Sequence, residues 1–163
     1  MRKELPQQLL RELLKNSKRS DRELAKVLGV SQPTITRMRT RLVKQGVIKE
    51  FTVIPDFAKM GYEIIAVCCV KTKTPVTELT EKGMKWMKKY PNMIFAAAAE
   101  GMGKNGVIIS LHKSYSDFHK FVSESRLYWG EEIQDYGTML ITLKQTIPKP
   151  LSLKYLAEEE NPT

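Results

Sequence analysis

Residues 20–49, SDRELAKVLGVSQPTITRMRTRLVKQGVIK, constrain the fold more than any other stretch of this chain. They read as two short helices joined by a tight turn. Ser20 is a good N-cap, and Glu23 three residues later completes a capping box. The helix Asp21–Leu28 buries Leu24, Ala25 and Leu28. Gly29 ends it, because glycine adopts a left-handed backbone at little cost, and Val30 follows as a core anchor. Ser31 caps the next helix, with Pro33 in its first turn, where a missing N–H costs little. Ile35, Met38 and Leu42 face inward, and Gly46 stops this helix. A helix ahead of both, from about Pro6 to Lys15, carries Leu5, Leu9, Leu10, Leu13 and Leu14 at helical spacing. Three helices with a tight second turn are how a protein sets one helix into the DNA major groove.

The side chains of that last helix fit the task. Ser31, Gln32, Pro33, Thr34, Thr36 and Arg37 lie on or near the free face of its first turns. Gln can bond adenine in two places, Arg can do so with guanine, and Thr offers a hydroxyl or a methyl. Arg39, Arg41, Lys44 and Lys49 are better placed for phosphates, which fix position without reading sequence. Arg39 also occupies a slot where the spacing from Ile35 to Leu42 calls for an apolar residue. Met38 takes over that packing, and the stem of Arg39 can be buried with its head outside. Charge agrees with a polyanionic partner. The chain carries a net +9, and residues 1–50 hold 13 Lys/Arg against 5 Asp/Glu, a surplus of +8. Residues 51–163 hold 14 against 13. A localised surplus is an electrostatic footprint, whereas a dispersed one would serve solubility alone.

Beyond residue 46 the pattern changes. Val47–Ile54 alternates only partly and reads as a strand, the wing of a winged helix. Residues 55–61 form a linker. Tyr62–Lys71 is a buried β-branched strand. Thr74-Pro75 opens a helix with Val76, Leu79, Gly83, Trp86 and Tyr90 on one face, ended by Pro91-Asn92. Met93–Glu100 is a strand, Gly101–Gly106 a glycine-rich connection, and Val107–His112 pairs back as a hairpin. A helix from about Tyr115 to Leu127 buries Phe118, Phe121 and Val122, and Tyr136–Lys144 is the last strand. The order β-α-β-β-α-β is the ferredoxin-like pattern. The fold class is therefore α+β. The expected domains are a winged helix-turn-helix over 1–54 and a ferredoxin-like domain over 62–146, with a C-terminal tail over 147–163. One face of such a sheet is left without helices, and pairing with a second copy through the sheets covers it.

Other chemistries find little footing. Cys68 and Cys69 are adjacent, so they make neither a disulfide framework nor a zinc site, and they read as small apolar strand residues. His112 and His119 are the only histidines. No nucleophile elbow, paired-acid motif or HExxH zinc motif is present. Catalytic residues, metals and cofactors are therefore not expected. No run approaches the ~18–20 apolar residues of a membrane span. The start, MRKELPQQLLRELLKNS, lacks a signal peptide's apolar stretch, so a cytoplasmic location is expected. The turn EGMGKNG (Glu100, Gly101, Met102, Gly103, Lys104, Asn105, Gly106) supports two readings. It is a flexible hairpin turn, or a place where exposed N–H groups receive a carboxylate or phosphate.

The helix-turn-helix stretch continued through EFTVIPDFAKMGY, and the β-α-β-β-α-β half with EGMGKNGVIISL, together resemble the Lrp/AsnC (feast/famine) transcription regulators over nearly the whole chain. That resemblance implies an N-terminal DNA-binding domain and a C-terminal RAM domain that dimerises and assembles further into octamers. It also implies a small effector, typically an amino acid, bound between dimers near Gly101–Gly106. This raises the ligand reading of residues 100–106 above the plain hairpin. Many amino-acid responders of the family carry Gly-x-x-Asp in this turn. Here the spacing is longer and Asn105 stands where an acid is expected, so an effector ammonium would lose a charged partner. Another ligand, or none, is the alternative. Siroheme decarboxylases resemble the same two-domain architecture, but they would hold a polycarboxylate with basic residues around the RAM sheet, and here the positive charge lies on the helix-turn-helix. An architectural DNA organiser without an effector is the remaining alternative.

Overall fold

The computed structural model describes residues 4–75, 78 and 80–158. The chain divides into two compact units. One runs to Ile54 and is rejoined by the chain from Lys149; the other spans Pro55–Pro148.

In the first unit, α1 (Leu5–Lys15), α2 (Asp21–Leu28) and α3 (Gln32–Lys44) follow the leucine spacing of the sequence. Leu9, Leu13, Leu24, Ala25, Ile35, Leu42 and Ile48 make one buried core, with Leu10, Leu28, Val30 and Met38 packed against it. Burying each large aliphatic side chain contributes about 1.5–3 kcal/mol. Truncating Ile35, which is fully buried, would cost about 2–5 kcal/mol.

Two expectations are corrected here. Val47–Ile54 is not a paired strand. The sheet found among the described residues belongs to the second unit, and Val47, Phe51, Val53 and Ile54 are exposed while Ile48 reaches the core. Its alternation is too incomplete to give a strand one buried face. The residues after 147 are also not a separate tail. A 3₁₀ turn over Leu153–Ala157 packs on α1 and buries Ala157, while residues 159–163 lie outside the described residues.

The second unit runs β1 (Ile64–Thr72), α4 (Thr80–Lys88), β2 (Met93–Gly101), β3 (Lys104–His112), α5 (Tyr115–Trp129) and β4 (Ile133–Thr142). The sheet order is β2-β3-β1-β4, with every neighbouring pair antiparallel. Each helix therefore crosses over one intervening strand, the ferredoxin-like arrangement. α4 begins later than Thr74-Pro75 suggests. The Glu132 side chain accepts from the Thr74 N–H at 2.6 Å, and the Thr72 hydroxyl donates to the Thr74 carbonyl at 2.6 Å. Those bonds hold residues 72–74 in a turn. Tyr90 lies past the helix end, and Val76 and Leu79 fall outside the described residues.

Period-two alternation divides the sheet. Ala66 and Cys68 of β1 meet Phe118 of α5 in a buried core joined by Ile108, Val122 and Tyr136. Register places Met139, Val67, Ile109 and Phe95 side by side across the opposite face, with Ile141, Ile65 and Leu111 in the next row. Cys68 and Cys69 are free thiols on alternate faces, and burial pushes the Cys68 thiol up.

Candidate nucleic-acid interface

The α2–turn–α3 segment is fixed by local chemistry at each corner. At the start of α2, the Glu23 N–H donates to the Ser20 hydroxyl oxygen at 3.3 Å, and the Glu23 carboxylate accepts from the Ser20 N–H at 2.7 Å. The Ser20 hydroxyl also donates to the Glu23 carboxylate at 2.7 Å, and this bond, with that from the Ser20 N–H, holds the Glu23 carboxyl below its usual range. Gly29 takes a left-handed backbone at φ 65°. The Val30 N–H then donates back to the Ala25 carbonyl at 3.0 Å, which turns the chain toward α3.

Burial of Ile35 and Leu42 sets the rotation of α3. Gln32, Pro33, Thr36, Arg37, Arg41 and Lys44 are consequently exposed, as is Lys49 beyond the helix. Gln32, Pro33, Thr36 and Arg37 line one shallow hollow at the N-terminal end of α3. Ser31 occupies the cap position, but its hydroxyl bonds the Thr34 hydroxyl at 2.8 Å instead of a backbone N–H. Thr36 donates its hydroxyl to Asp21 at 2.6 Å, so its methyl and oxygen lone pairs are what it can offer a base.

Arg39 departs from the phosphate role the sequence suggested. Its guanidinium pairs with Asp21 at 2.8 Å, donates to the Arg19 carbonyl at 3.2 Å, and lies 5.9 Å from the Phe51 ring centre. Three-quarters of its side chain is covered. It is committed to holding α2 against α3. Asp21, which the sequence reading treated only as the first helical residue, is the acceptor at the centre of this arrangement. Its signal was the pairing of an unexplained Arg at a core slot with an acid facing it from the preceding helix.

The glycine-rich turn is tighter than an open cradle. Only Met102 and Gly103 separate β2 from β3, with φ of 49° and 69°, and Gly101 pairs with Lys104 across them. Two successive positive φ values make a primed hairpin turn. The Asn105 amide clamps Thr72 of β1: its oxygen accepts from the Thr72 N–H at 2.9 Å, and its nitrogen donates to the Thr72 carbonyl at 3.0 Å. Lys104 pairs with Asp135, and its hydrogen bond holds the Asp135 carboxyl below the usual range. Gly106 is paired on both sides, to Ala98 and Val70. Of the seven residues, Glu100, Gly101, Met102 and Gly103 are exposed. His112 is fully buried against Ser110, whose hydroxyl lies 2.8 Å from Nε2, while His119 is exposed.

A winged helix-turn-helix DNA-binding profile matches residues 2–49. The HTH-type transcriptional regulator PH0061 of Pyrococcus horikoshii is 32% identical over 120 residues, 72% of this chain and 77% of that one. The chain belongs to the Lrp/AsnC family. It is a DNA-binding helix-turn-helix transcriptional regulator of that type. The crystal structure of PH0061 superposes with a TM-score of 0.75, covering 90% of this chain and 95% of that chain at 26% identity. E. coli AsnC shares the fold at a TM-score of 0.69, with 20% identity over 90% of this chain and 95% of that one. A Neisseria meningitidis regulator, NMB0573, solved as an L-Met complex, shares it at 0.72, with 16% identity over 93% of this chain and 97% of that one.

Proposed function

We propose that the protein is a homodimeric, sequence-specific DNA reader whose α3 enters the major groove. Gln32, Pro33, Thr36 and Arg37 face base edges, with Ser31 and Thr34 beside them. Arg41, Lys44 and Lys49 face phosphates. One observation carries this reading: three side chains of base-reading type, Gln32, Thr36 and Arg37, share an exposed hollow with Pro33 at the start of α3 while Ile35 and Leu42 anchor its other face. Arg37 suits guanine, Gln32 suits adenine, and the Thr36 methyl suits thymine. Binding-site selection from random DNA followed by gel shifts tests it. Arg37→Ala should cost about 1–3 kcal/mol on the selected site and relax one base position. Lys44→Ala should weaken all sequences alike and lower the salt slope by about 1. Equal losses on selected and random DNA for Arg37→Ala would overturn the assignment.

In this reading residues 1–54 bind DNA, 55–61 link, and 62–146 pair two copies. The helix-free face of the sheet supports pairing: Met139 is 67% exposed and Phe95 52% in the row they share with Val67 and Ile109. A symmetric dimer presents two α3 helices to half-sites about one helical turn apart. An effector would meet the exposed Glu100–Gly103 portion of the hairpin, since Lys104 and Asn105 are already engaged. The L-Met complex of the Neisseria protein supports an effector in this fold. A thermal-shift screen of amino acids and other metabolites, repeated on Asn105→Asp, tests it.

A further inference from the structure

Between the helix-covered face of the sheet and the helices α4 and α5 lies a cavity of about 270 Å³. Small residues keep it open: Gly83 in α4, Ala96 in β2, Gly106 in β3 and Ser125 in α5. Trp86 and Trp129 give it aromatic walls, and Met84, Met87 and Met93 give it polarizable ones. Among the described residues no charged side chain lines it. The Trp86 indole N–H and the Tyr136 hydroxyl are both covered, the hydroxyl beside the Cys68 thiol and the Thr138 hydroxyl, so neither offers the cavity a polar contact. Exposed Met84, Met87 and Ala96 mark the mouth on the side of the edge strand β2.

We propose that this cavity binds a neutral aromatic molecule of one or two rings. Size sets the ring count: an apolar cavity of about 150 Å³ takes up benzene, and this one is larger. The lining sets the charge: a zwitterionic amino acid would bring two charged ends to a site with no lining counter-charge. The site touches the candidate effector turn only at Gly106, and it lies within one protomer.

Quinoline is a suitable probe, being neutral at pH 7.5 with two fused aromatic rings. The full chain should bind it by calorimetry at one molecule per chain and melt at a higher temperature in its presence. L-phenylalanine should neither bind there nor compete. Gly83→Leu fills the cavity from the helix side. A Cβ at Gly83 meets Met87 Cε and Trp129 Cη2 at 3.9 Å, an ordinary contact, and leucine favours the helix over glycine. This variant should fold by circular dichroism and bind quinoline at least tenfold more weakly. Ala96→Leu fills the cavity from the sheet side and should do the same. Failure of the wild-type chain to bind quinoline overturns the proposal. So does unchanged affinity in a folded Gly83→Leu or Ala96→Leu chain, or competition by L-phenylalanine.

Discussion

Asp21→Ala removes the carboxylate that holds Arg39 at 2.8 Å and the Thr36 hydroxyl at 2.6 Å. Arg39 would keep only the Arg19 carbonyl at 3.2 Å, and its buried Nε has no partner among the described residues. A hydrogen bond to a charged group is worth about 1.5–3 kcal/mol. The two side chains remain 20% and 25% exposed, so water offsets part of that loss and the low end applies. Loss of an acid from the first turn of α2 adds about 0.5 kcal/mol. The expected cost is about 2 kcal/mol. Arg39→Met should cost only about 1 kcal/mol, because methionine keeps the stem packing and Asp21 keeps Thr36 and the helix N-terminus. Urea unfolding separates the two units: both tryptophans, Trp86 and Trp129, lie in the second unit, while far-UV circular dichroism sees helices of both. Each variant should shift the dichroism transition and leave the fluorescence midpoint in place. The double-mutant cycle should return a coupling of about 1 kcal/mol. If Arg39→Met leaves unfolding unchanged and lowers the salt slope of DNA binding by about 1, Arg39 is a phosphate contact and the assignment is wrong.

Asn105→Asp sets a carboxylate oxygen against the Thr72 carbonyl that the amide nitrogen now bonds at 3.0 Å. It should destabilise the second unit by about 1–3 kcal/mol, read from tryptophan fluorescence in urea, and a gain in stability would contradict the clamp. Val67→Glu puts a charge in the middle of the helix-free sheet face and should convert dimers to monomers by light scattering; an unchanged mass would move the interface elsewhere. Burial holds the His112 pKa below the ordinary imidazole value of 6.5, with Asp117 opposing. As pH falls below that value the unfolded chain takes up a proton that the folded chain refuses, so stability drops down to the lowered folded pKa and is flat above the unfolded one. Comparing unfolding at pH 7.5 and 5.5 in the wild-type and His112→Asn chains checks this, and the variant should show the smaller pH dependence.

The boundaries of α2 and the start of α3 were legible because single residues there carry a local rule. Ser20 with Glu23 fixed the start of α2, Gly29 its end, and Pro33 the first turn of α3, because each acts through bonds or dihedrals within four residues. The β-α-β-β-α-β succession of the second unit followed from its alternating strand-like and helical segments. What the sequence hid depends on distant partners. Arg39 reads as a surface cation until Asp21 and Phe51 are placed around it. The 3₁₀ turn at Leu153–Ala157 packs on α1 from the far end of the chain, and nothing near it in sequence announces that. Asn105 suggests a ligand contact by type, yet its amide is spent on Thr72, thirty-three residues away. The glycines of EGMGKNG suggest openness, yet Gly101 and Gly106 sit in paired strands.

The surplus of positive charge in the first unit separates into two populations once partners are known. Lys15 and Arg19 are held by Glu12, and Arg39 by Asp21. Those hydrogen bonds and charges, with Lys15 foremost, keep the Glu12 carboxyl below its usual range. Glu23 is occupied by Ser20. Glu12, Asp21 and Glu23 are thus spent inside the three-helix scaffold. Arg37, Arg41, Lys44 and Lys49 on and beyond α3 are left exposed, as are Arg11, Lys18, Arg22 and Lys26 on and between the first two helices, all without an ion-pair partner among the described residues. Salt screens exposed charges far more than partly buried pairs. Rising ionic strength should therefore release a polyanion from α3 well before it loosens the packing of α2 on α3. If α3 reads DNA as proposed, the binding footprint and its salt sensitivity should both arise from cations that the fold itself does not use.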